Sequence, residues 1–493
     1  MVQSAGIELE ALAHVVGATR ATNAEGIQIA DLAYDSRRVV PGSVFVCIPG
    51  GRADGHDFAV AAVEAGAVAL LVERELPIAV PQVVVPDSRC ALALAGRALY
   101  GDPTRELTVV GATGTNGKTT TTFLLHAILA AARLRPGLLG TIERRIGGER
   151  WPSVLTTPES VDLQRDFRAM VDAGDRSAAV EVSSHAAALG RLVGVRFAAL
   201  AFLNLTHDHL DFHGGFEKYF AAKRRAFVEP DSDGNLPAAA LNVSDPHGRA
   251  LARELADLGV RTLTFGVTPP ADVRPENLEL TRHGVTFRVG RLAIESRLRG
   301  RFNVENILAA VALAQLLGIS DEAIRAGTAH VRGVPGRFEA IDEGQDFAVI
   351  VDYAHTPEAL ANVLRAAHDL CEGRLTCVFG CGGDRDRGKR PAMGSTAAHL
   401  ADRVIVTSDN PRSEAPEAII EEILLGAGSQ AEAEVDRAAA IERAIGEAQP
   451  GDVVVVAGKG HERGQDFGTR TVPFDDREVS AEILRRLALG AKR

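Results

Sequence analysis

The chain has 493 residues and therefore has room for about three domains. Hydrophobic residues make up 46% of the sequence and charged residues 24%, a balance that excludes a disordered chain and predicts a globular one. The net charge of −11 argues against a general nucleic-acid binder, which would present a basic face. It does not exclude a small anionic ligand, because a phosphate site needs only local positive groups.

Targeting and redox signals are weak in this sequence. Residues 1–16 lack a basic segment followed by an apolar one, so we expect no signal peptide. The apolar runs are far too short to cross a bilayer, and we expect no membrane insertion. The five cysteines are scattered, odd in number and without the spacing of a zinc site. They predict reduced thiols in a cytoplasmic protein.

Residues 1–105 are predicted to form a small α/β unit. Apolar runs predict buried strands at 44–48, 67–72 and 83–85. The spacing of apolar residues predicts helices at 58–65 and 89–100. The loops at 35–38 and 49–56 are interpreted, on composition alone, as connections. Gly101-Asp102-Pro103 breaks the last helix and marks a boundary.

A glycine-rich loop, residues 111–120 (Gly-Ala-Thr-Gly-Thr-Asn-Gly-Lys-Thr-Thr), opens the second unit, 106–332. It follows a short apolar run and precedes a predicted helix, so backbone N–H groups and the positive helix end would surround a phosphate. Lys118 would reach the terminal phosphates and the Thr119 hydroxyl would bind Mg²⁺. Ala112 stands where the usual pattern has glycine, but it is small enough for close backbone approach. The loop predicts an ATP site.

The rest of the chain alternates between strand and helix patterns. In the second unit strands are predicted at 178–182, 198–203, 238–241 and 261–265, and an antiparallel flank at 278–298. Helices at 303–317 and 321–330 and a linker at 333–336 follow. In the third unit, 333–493, strands are predicted at 348–351, 375–379, 403–406 and 453–457, with helices at 357–370, 419–425 and 438–447. The alternation predicts mostly parallel sheets covered by helices.

Three polar features follow in the second unit. Glu181 ends a predicted strand beside the phosphate loop and suits Mg²⁺, although a carboxylate there could instead cap the next helix. The stretch 204–213 is rich in His and Asp, which fits either a metal site or ordinary turn caps, and composition does not decide between them. Lys223 stands beside two arginines, and statistics alone favour a solvated basic face.

Four polar loops end predicted strands of the third unit, where an open α/β sheet places its ligands. They are residues 352–357, 381–390, 409–412 and 458–462. These loops carry Arg, Asp and Glu. Guanidinium groups bind carboxylates and carboxylates bind ammonium groups, so the loops together favour a polar, zwitterionic ligand.

These motifs together resemble the Mur ligase family, the ATP-dependent amide-forming enzymes of peptidoglycan precursor synthesis. The resemblance runs through nearly the whole chain. It is carried by Gly114 to Thr120, Glu181 to His185, Asn204 with Asp208 and His209, Asn303 with Asn306, Gly336 to Glu339, and Asp352 to Pro357.

The resemblance implies three α/β domains. The first, 1–105, is a small N-terminal UDP-binding domain. The second, 106–332, is a central P-loop ATPase-like ligase domain with a mostly parallel sheet. The third, 333–493, is a C-terminal Rossmann-like domain that binds the amino acid. A cytoplasmic monomer that does not bind nucleic acid is expected, with a role in cell-wall biogenesis, cell shape and cell division.

Within the family the chain most resembles the member that adds the third amino acid to UDP-N-acetylmuramoyl-L-alanyl-D-glutamate. Asp409-Asn410-Pro411-Arg412 is similar to the motif that marks meso-2,6-diaminopimelate as that amino acid. Arg412 would offer a bidentate partner to the carboxylate that lysine lacks. The alternatives are the same ligation with L-lysine, a folylpolyglutamate synthase-like ligase, and a non-catalytic ATP-binding module.

The resemblance also implies roles for individual residues. For ATP they are Gly114, Thr115, Asn116, Gly117, Lys118, Thr119, Thr120, Asn303, Asn306, Arg337 and Asp352. For the UDP-muramoyl-dipeptide they are Tyr34, Ser36, Gly51, Arg52, Ala53, Leu155, Thr156, Thr157, Ser183, Leu189 and Arg191. For diaminopimelate they are Arg385, Asp409, Asn410, Pro411, Arg412, Gly458 and Glu462.

The same resemblance implies the catalytic and metal-binding groups. Lys118, Glu181, His209 and Lys223 are the implied catalytic residues, with Thr119, Glu181, His209 and carbamylated Lys223 holding Mg²⁺. This reverses the interpretation of Lys223 as part of a solvated face. Two positions depart from the family pattern: Leu155 stands where the family often has asparagine, and Leu189 where a polar residue is common.

Overall fold

The computed structural model describes residues 6–51, 53–281 and 283–490. It confirms an α/β protein of three domains, each built around its own sheet. Among these residues, no helix is both long and apolar enough to cross a bilayer.

The N-terminal domain contains a five-stranded sheet in the order β2-β7-β6-β5-β4. Strands β4 to β7 run parallel and β2 is an antiparallel edge. Its elements are β1 (Ile7–Glu8), α1 (Leu9–Val15), β2 (Arg20–Thr22), β3 (Gln28–Ile29), β4 (Asp31–Ala33), β5 (Ser43–Val46), α2 (Ala59–Glu64), β6 (Ala69–Val72), β7 (Gln82–Val84) and α3 (Ser88–Leu99). Every residue of β5 and β6 is buried, as the apolar runs predict for central parallel strands.

The central domain has an eight-stranded sheet in the order β11-β10-β9-β12-β8-β13-β14-β15, parallel except for the β10–β11 hairpin. Its first elements are β8 (Thr108–Thr113), α4 (Lys118–Ala131), β9 (Pro136–Leu139), β10 (Glu143–Ile146), β11 (Glu149–Pro152), α5 (Ser160–Asp172), β12 (Ser177–Glu181), α6 (Ser184–Ala188) and β13 (Phe197–Phe202). The next are α7 (Leu210–His213), α8 (Phe216–Val228), β14 (Ala238–Asn242), α9 (Pro246–Asp257) and β15 (Thr262–Phe265).

An antiparallel sheet and two helices complete this domain, as the sequence predicts. They are β16 (Glu276–Thr281), β17 (Gly284–Val289), β18 (Leu292–Ser296), α10 (Arg301–Leu316) and α11 (Asp321–His330). Helices α4 and α10 are buried along most of their length because both pack into the core under the antiparallel sheet. The helix α4 therefore begins at the phosphate loop and runs through the core as far as Leu129, whereas its last two residues are exposed.

The C-terminal domain has a six-stranded sheet in the order β19-β20-β24-β21-β22-β23, parallel except for β19. Its first elements are β19 (Glu339–Ile341), β20 (Ala348–Asp352), α12 (Pro357–His368), β21 (Leu375–Phe379), α13 (Lys389–Leu400) and β22 (Arg403–Val406). The others are α14 (Pro416–Ala427), β23 (Glu432–Ala433), α15 (Arg437–Gly446), β24 (Val453–Ala457), β25 (Gly464–Asp466), β26 (Thr471–Pro473) and α16 (Asp476–Gly490).

Several elements differ from the sequence prediction. The β10–β11 hairpin and helices α5, α9, α13 and α16 were not predicted. The basic turn predicted up to Arg390 ends earlier, because α13 begins at Lys389. The helix predicted at 419–425 is longer, since Pro416 occupies the first turn of α14, where its missing N–H costs no hydrogen bond.

Candidate active site

A cavity of about 610 Å³ lies between the central and C-terminal domains. The central domain contributes the phosphate loop and the segments that follow β12 and β13. The C-terminal domain contributes Arg337, Asp352, His355 and Arg385. Because parallel strands end at the same edge of a sheet, polar residues far apart in sequence meet here.

The phosphate loop is fixed to the end of β13. Asn116 N–H donates to Asn204 Oδ1 (2.8 Å), and Asn204 Nδ2 donates back to the Asn116 carbonyl (3.2 Å). Gly117 has a φ of +89° and caps α4. A Cβ at this position would also collide with Asn306 Oδ1, so glycine is required there. Thr115 to Thr120 line the cavity, whereas Gly114, which was also expected at the nucleotide, is not part of the lining.

Lys118 is folded back over the same loop. Its Nζ donates to the carbonyls of Gly114 (2.8 Å) and Thr115 (2.9 Å). Burial lowers the pKa of this ammonium, and the carboxylate of Glu181 opposes that shift. A cation held by carbonyls alone, at the N-terminus of α4, is suited to an anionic ligand.

Glu181 ends β12 and is fully buried. Its carboxylate accepts hydrogen bonds from Thr141 N–H (2.8 Å), Thr141 Oγ1 (2.9 Å) and Thr119 Oγ1 (3.1 Å). None of these donors is charged, so the buried carboxylate next to the Thr119 hydroxyl fits a hard divalent cation. The helix-cap alternative for Glu181 is wrong, because Ser183 Oγ caps α6 instead.

Lys223 is withdrawn from water on α8, with 1% of its surface exposed. Its Nζ lies 4.7 Å from the centre of the Tyr219 ring, and within the described ranges no hydrogen bond or ion pair holds it. Burial, and then the charge of Lys118, lower the pKa of Lys223 well below its ordinary value. The neighbouring arginines do form ion pairs, with Glu254 and Glu229. The solvated-face interpretation is therefore wrong for Lys223.

The His- and Asp-rich segment after β13 forms a ring cluster. His209, with a φ of +53°, lies 4.7 Å from His185 between ring centres and 3.3 Å (Nε2 to Oδ2) from Asp208. Burial lowers the pKa of His209 to about 4, so the ring is neutral at pH 7. Over the part of the chain that is described, no three His, Cys, Asp or Glu side chains are grouped to hold a metal. The transition-metal alternative is therefore not supported.

Of the four other residues expected around the nucleotide, three line the cavity and Asn303 does not. Asn306 Nδ2 donates to Asn303 Oδ1 (2.9 Å), and only Asn306 of this pair lines the cavity. Arg337 stacks 4.4 Å from the centre of the Tyr353 ring, and its Nη2 donates to Thr119 Oγ1 (3.2 Å). Burial raises the pKa of Asp352 to about 6, although its carboxylate accepts two backbone N–H bonds.

Most residues expected at the muramoyl-dipeptide line the same cavity, namely Leu155, Thr156, Thr157, Ser183 and Arg191. Thr157 Oγ1 donates to the Glu181 carbonyl (2.6 Å) and accepts from Ser183 N–H (3.0 Å), which ties this wall to the end of β12. Leu189 is the C-terminal cap of α6 and is not part of the lining.

The described residues among those expected at UDP lie in the N-terminal domain, outside this cavity. Tyr34 OH donates to Asp162 of α5 (2.6 Å), which links the two domains. Ser36 begins a short turn after β4, and Gly51 and Ala53 belong to the loop after β5. Arg52 lies outside the described residues.

The residues expected at diaminopimelate follow strands of the C-terminal sheet. Arg385 lines the cavity, whereas 409–412 follow β22 and Gly458 and Glu462 follow β24. Arg412 has a φ of +54°, and its Nη1 donates to the Gly383 carbonyl (2.6 Å). These loops meet because β22 and β24 flank β21 in one parallel sheet.

Sequence reasoning missed two residues that shape the site. Thr141 makes two of the three hydrogen bonds to Glu181, and no strand was predicted at β9, which places it. Arg437 is buried against Asp476, and its Nη2 donates to the Ala457 carbonyl (2.9 Å) at the end of β24. A lone arginine in a helix pattern gives no signal of such burial.

Comparisons with known proteins cover most of the chain. Family models match residues 28–98 (Mur ligase family, catalytic domain), 112–314 (Mur ligase middle domain) and 336–460 (Mur ligase, glutamate ligase domain).

Two curated relatives carry the name UDP-N-acetylmuramoyl-L-alanyl-D-glutamate--2,6-diaminopimelate ligase. The protein from Solibacter usitatus is 47% identical over 470 residues, which cover 93% of this chain and 94% of the relative. The protein from Geobacillus thermodenitrificans is 46% identical over 462 residues, which cover 92% and 94%.

Solved structures of ligases of the same family are similar to this chain as well. A structure of UDP-N-acetylmuramoyl-L-alanyl-D-glutamate--2,6-diaminopimelate ligase is 34% identical with a TM-score of 0.66 and covers 93% of this chain and 95% of that one. The MurF ligase of Thermotoga maritima in complex with ADP is 20% identical with a TM-score of 0.61 and covers 92% and 97%, a likeness of fold alone. The chain therefore belongs to the Mur ligase family.

Proposed function

We propose that this protein is an ATP-dependent ligase of peptidoglycan precursor synthesis. It joins meso-2,6-diaminopimelate to the γ-carboxylate of the D-glutamyl residue in UDP-N-acetylmuramoyl-L-alanyl-D-glutamate. The observation that carries this proposal is the 47% identity, over 93% of the chain, to a relative of that name. The cavity between the phosphate loop and the C-terminal loops is in keeping with a reaction that needs both ligands.

The reaction needs ATP because a carboxylate oxygen is a poor leaving group. The γ-carboxylate attacks the terminal phosphorus of ATP, ADP leaves, and an acyl phosphate forms. The uncharged amine of diaminopimelate then attacks the acyl carbon, and the tetrahedral intermediate expels phosphate as the amide forms. Lys118 neutralises charge on the transferring phosphoryl group. Its present hydrogen-bond acceptors are neutral carbonyl groups, which bind an ammonium more weakly than a charged phosphate does.

Two Mg²⁺ positions are proposed. The Thr119 hydroxyl and the Glu181 carboxylate would hold one ion, and their uncharged hydrogen-bond donors support this assignment. His209 and Lys223, as a carbamate, would hold the other. Bound Mg²⁺ would supply positive charge next to the phosphate oxygens.

Carbamylation of Lys223 is supported by its surroundings. An uncharged amine adds CO₂ and releases a proton, and this converts a potential cation into a carboxylate-like anion. Lys223 is buried beside an aromatic ring with no anionic partner in hydrogen-bonding distance among the described residues. The fold therefore favours an uncharged amine at this position.

We assign a different part of the substrate set to each of the three domains. We assign UDP to residues 1–105, ATP and the dipeptide to 106–332, and the amino acid to 333–493. In the last domain, Arg412 would bind the carboxylate that distinguishes diaminopimelate from lysine, and Glu462 would bind an ammonium group. A cytoplasmic monomer is part of the same proposal.

The test is phosphate release with the UDP-muramoyl-dipeptide, ATP and a panel of amino acids. We expect turnover with meso-diaminopimelate at least tenfold better, in kcat/KM, than with L-lysine, which corresponds to about 1.4 kcal/mol. Equal or better turnover with L-lysine would overturn the specificity. Glutamate ligation to a folate would favour the folylpolyglutamate alternative, and nucleotide binding without any amide product would favour a non-catalytic module.

A further inference from the structure

A buried polar network joins the loop after β22 to the loop after β24. Lys459 is completely buried, and its Nζ donates to Asn410 Oδ1 (2.9 Å) and to Glu462 Oε2 (2.9 Å). Asn410 Nδ2 donates to the same Glu462 oxygen (2.8 Å), and Asp466 N–H donates to Asn410 Oδ1 (2.9 Å). Lys459 therefore bonds to both loops at once.

The network occupies both the oxygen and the nitrogen of the Asn410 side chain but leaves one oxygen of Glu462 free. Asn410 Oδ1 accepts two hydrogen bonds, while Glu462 Oε2 accepts two and, among the described residues, Oε1 accepts none. The side chain of Glu462 is 31% exposed, whereas that of Lys459 is 0% exposed. The arrangement is a cation inside the fold with one anionic oxygen facing outward.

The burial of Lys459 makes this arrangement rigid. An ammonium leaves water only where hydrogen bonds and an opposite charge compensate it. The backbone beside it is tightly constrained, because Gly458 has a φ of +114° and a Cβ there would press on Asp409 Oδ2. Neither loop can shift without breaking a bond to Lys459.

We propose that Lys459 is a positioning residue for the amino-acid substrate. It fixes Glu462 so that the free oxygen receives an ammonium group of the incoming amino acid. Through Asn410 it also fixes the 409–412 loop, from which Arg412 faces the substrate carboxylate. This inference rests on the proposed function, since it needs an amino acid that binds at these loops.

The experiment compares Lys459→Met, Glu462→Gln and the double variant, with Lys218→Met, an exposed lysine of α8, as the control. KM is measured separately for diaminopimelate, ATP and the UDP-muramoyl-dipeptide. We expect Lys459→Met to raise the KM for diaminopimelate about 10- to 100-fold and to leave the other two KM values within about twofold. The double variant should raise this KM by less than the product of the two single effects, because Lys459 acts partly through Glu462 and partly through Asn410.

Three results would overturn the inference: an unchanged KM for diaminopimelate, an equal rise in all three KM values, or multiplying effects in the double variant. If Lys459→Met does not fold, Lys459→Gln gives the same comparison with a neutral side chain that still donates hydrogen bonds. Wild-type protein without ligase activity would instead contradict the proposed function. The two failures are therefore distinguishable.

Discussion

Three lysines bear on the proposed reaction, and each is held differently: Lys223 and Lys459 are buried, whereas Lys118 is partly exposed. Lys118 bonds to two carbonyls of the phosphate loop, and Lys459 bonds to a carboxylate and an amide. Among the described residues, Lys223 has no hydrogen bond or ion pair, and its Nζ lies over the face of the Tyr219 ring. Since an unpaired buried ammonium costs several kcal/mol, Lys223 is the lysine whose charge the fold does not compensate.

Replacing Lys223 tests its role directly. We expect Lys223→Ala to lower kcat at least about 1000-fold if the carbamate helps hold the metal at the transferring phosphate. The variant should still fold, because no hydrogen bond or ion pair in the described chain is lost, but the cavity left by the buried side chain should lower the thermal midpoint. Lys218→Ala, on the solvent side of the same helix, is the matched control and should keep wild-type turnover.

Carbon-13 NMR of protein equilibrated with labelled bicarbonate gives a second measurement on Lys223. A carbamate resonance is expected in the wild type and in Lys218→Ala, and it should be missing in Lys223→Ala. Full turnover of Lys223→Ala would show that the carbamate has no part in the reaction.

Arg412 is expected to select the amino acid. Removing a charged, bidentate hydrogen-bond partner costs about 1.5–3 kcal/mol or more, so Arg412→Ala should lower kcat/KM for meso-diaminopimelate about 10- to 100-fold. The value for L-lysine, which lacks the second carboxylate, should fall much less. Phosphate release with both amino acids measures this, and Arg253→Ala, an exposed residue of α9, is the control. Equal losses for the two amino acids would contradict the role.

At the scale of elements, α13 and α14 support the loops of the C-terminal domain by close packing. Gly394 and Gly426 lie where the two helices cross, and a Cβ on either would collide with a backbone carbonyl, of Ile423 or Pro391. Arg390 of α13 is fully buried and pairs with Glu422 of α14 (2.8 Å). The crossing therefore depends on small residues and on one buried ion pair.

A glycine substitution at this crossing has a clear expected outcome. Gly426→Ala should lower the free energy of unfolding by about 1–3 kcal/mol, because the helices cannot separate without losing packing. Gly446→Ala, at the end of α15 with open space around its Cβ position, should be neutral or stabilising by about 0.4–1 kcal/mol. Urea unfolding of both variants measures the difference, and similar values would show that the crossing is not tightly packed.

Element prediction was accurate where the pattern was strongly apolar. The bounds of β21, β22 and β24 were predicted without error, because buried parallel strands are continuous apolar runs. Helix α13 was missed because few large apolar residues mark one of its faces, and its packing relies on glycine. Contacts of that kind do not appear as a periodic hydrophobic pattern.

At the scale of the whole molecule, the C-terminal domain lies against the nucleotide loop. Arg337 reaches Thr119, and His207 of the central domain lies 4.0 Å from Asp386 of the C-terminal domain (Nε2 to Oδ2). These two polar contacts are weak, so we expect the domains to separate when the ligands are absent, even though Phe302 of the central domain also packs against Phe338 of the C-terminal domain. Substrate binding is expected to hold them together.

Small-angle scattering tests this closure. We expect a smaller radius of gyration with a non-hydrolysable ATP analogue, the UDP-muramoyl-dipeptide and diaminopimelate than with no ligand, because the cavity joins residues of both domains. The nucleotide analogue alone is the control and should give a smaller change. An unchanged radius with all ligands bound would contradict closure.

The sequence by itself determined the phosphate loop, the apolar strands and the order of the polar loops. Each of these depends on residues that are neighbours along the chain, so local patterns and resemblance were sufficient. Tertiary structure decided that Lys223 is buried, that the described hydrogen-bond donors to the Glu181 carboxylate are uncharged, and that Lys459 joins Asn410 to Glu462. These facts depend on parallel strands that bring distant segments to one sheet edge, and on burial, which changes what the same charged side chain can do.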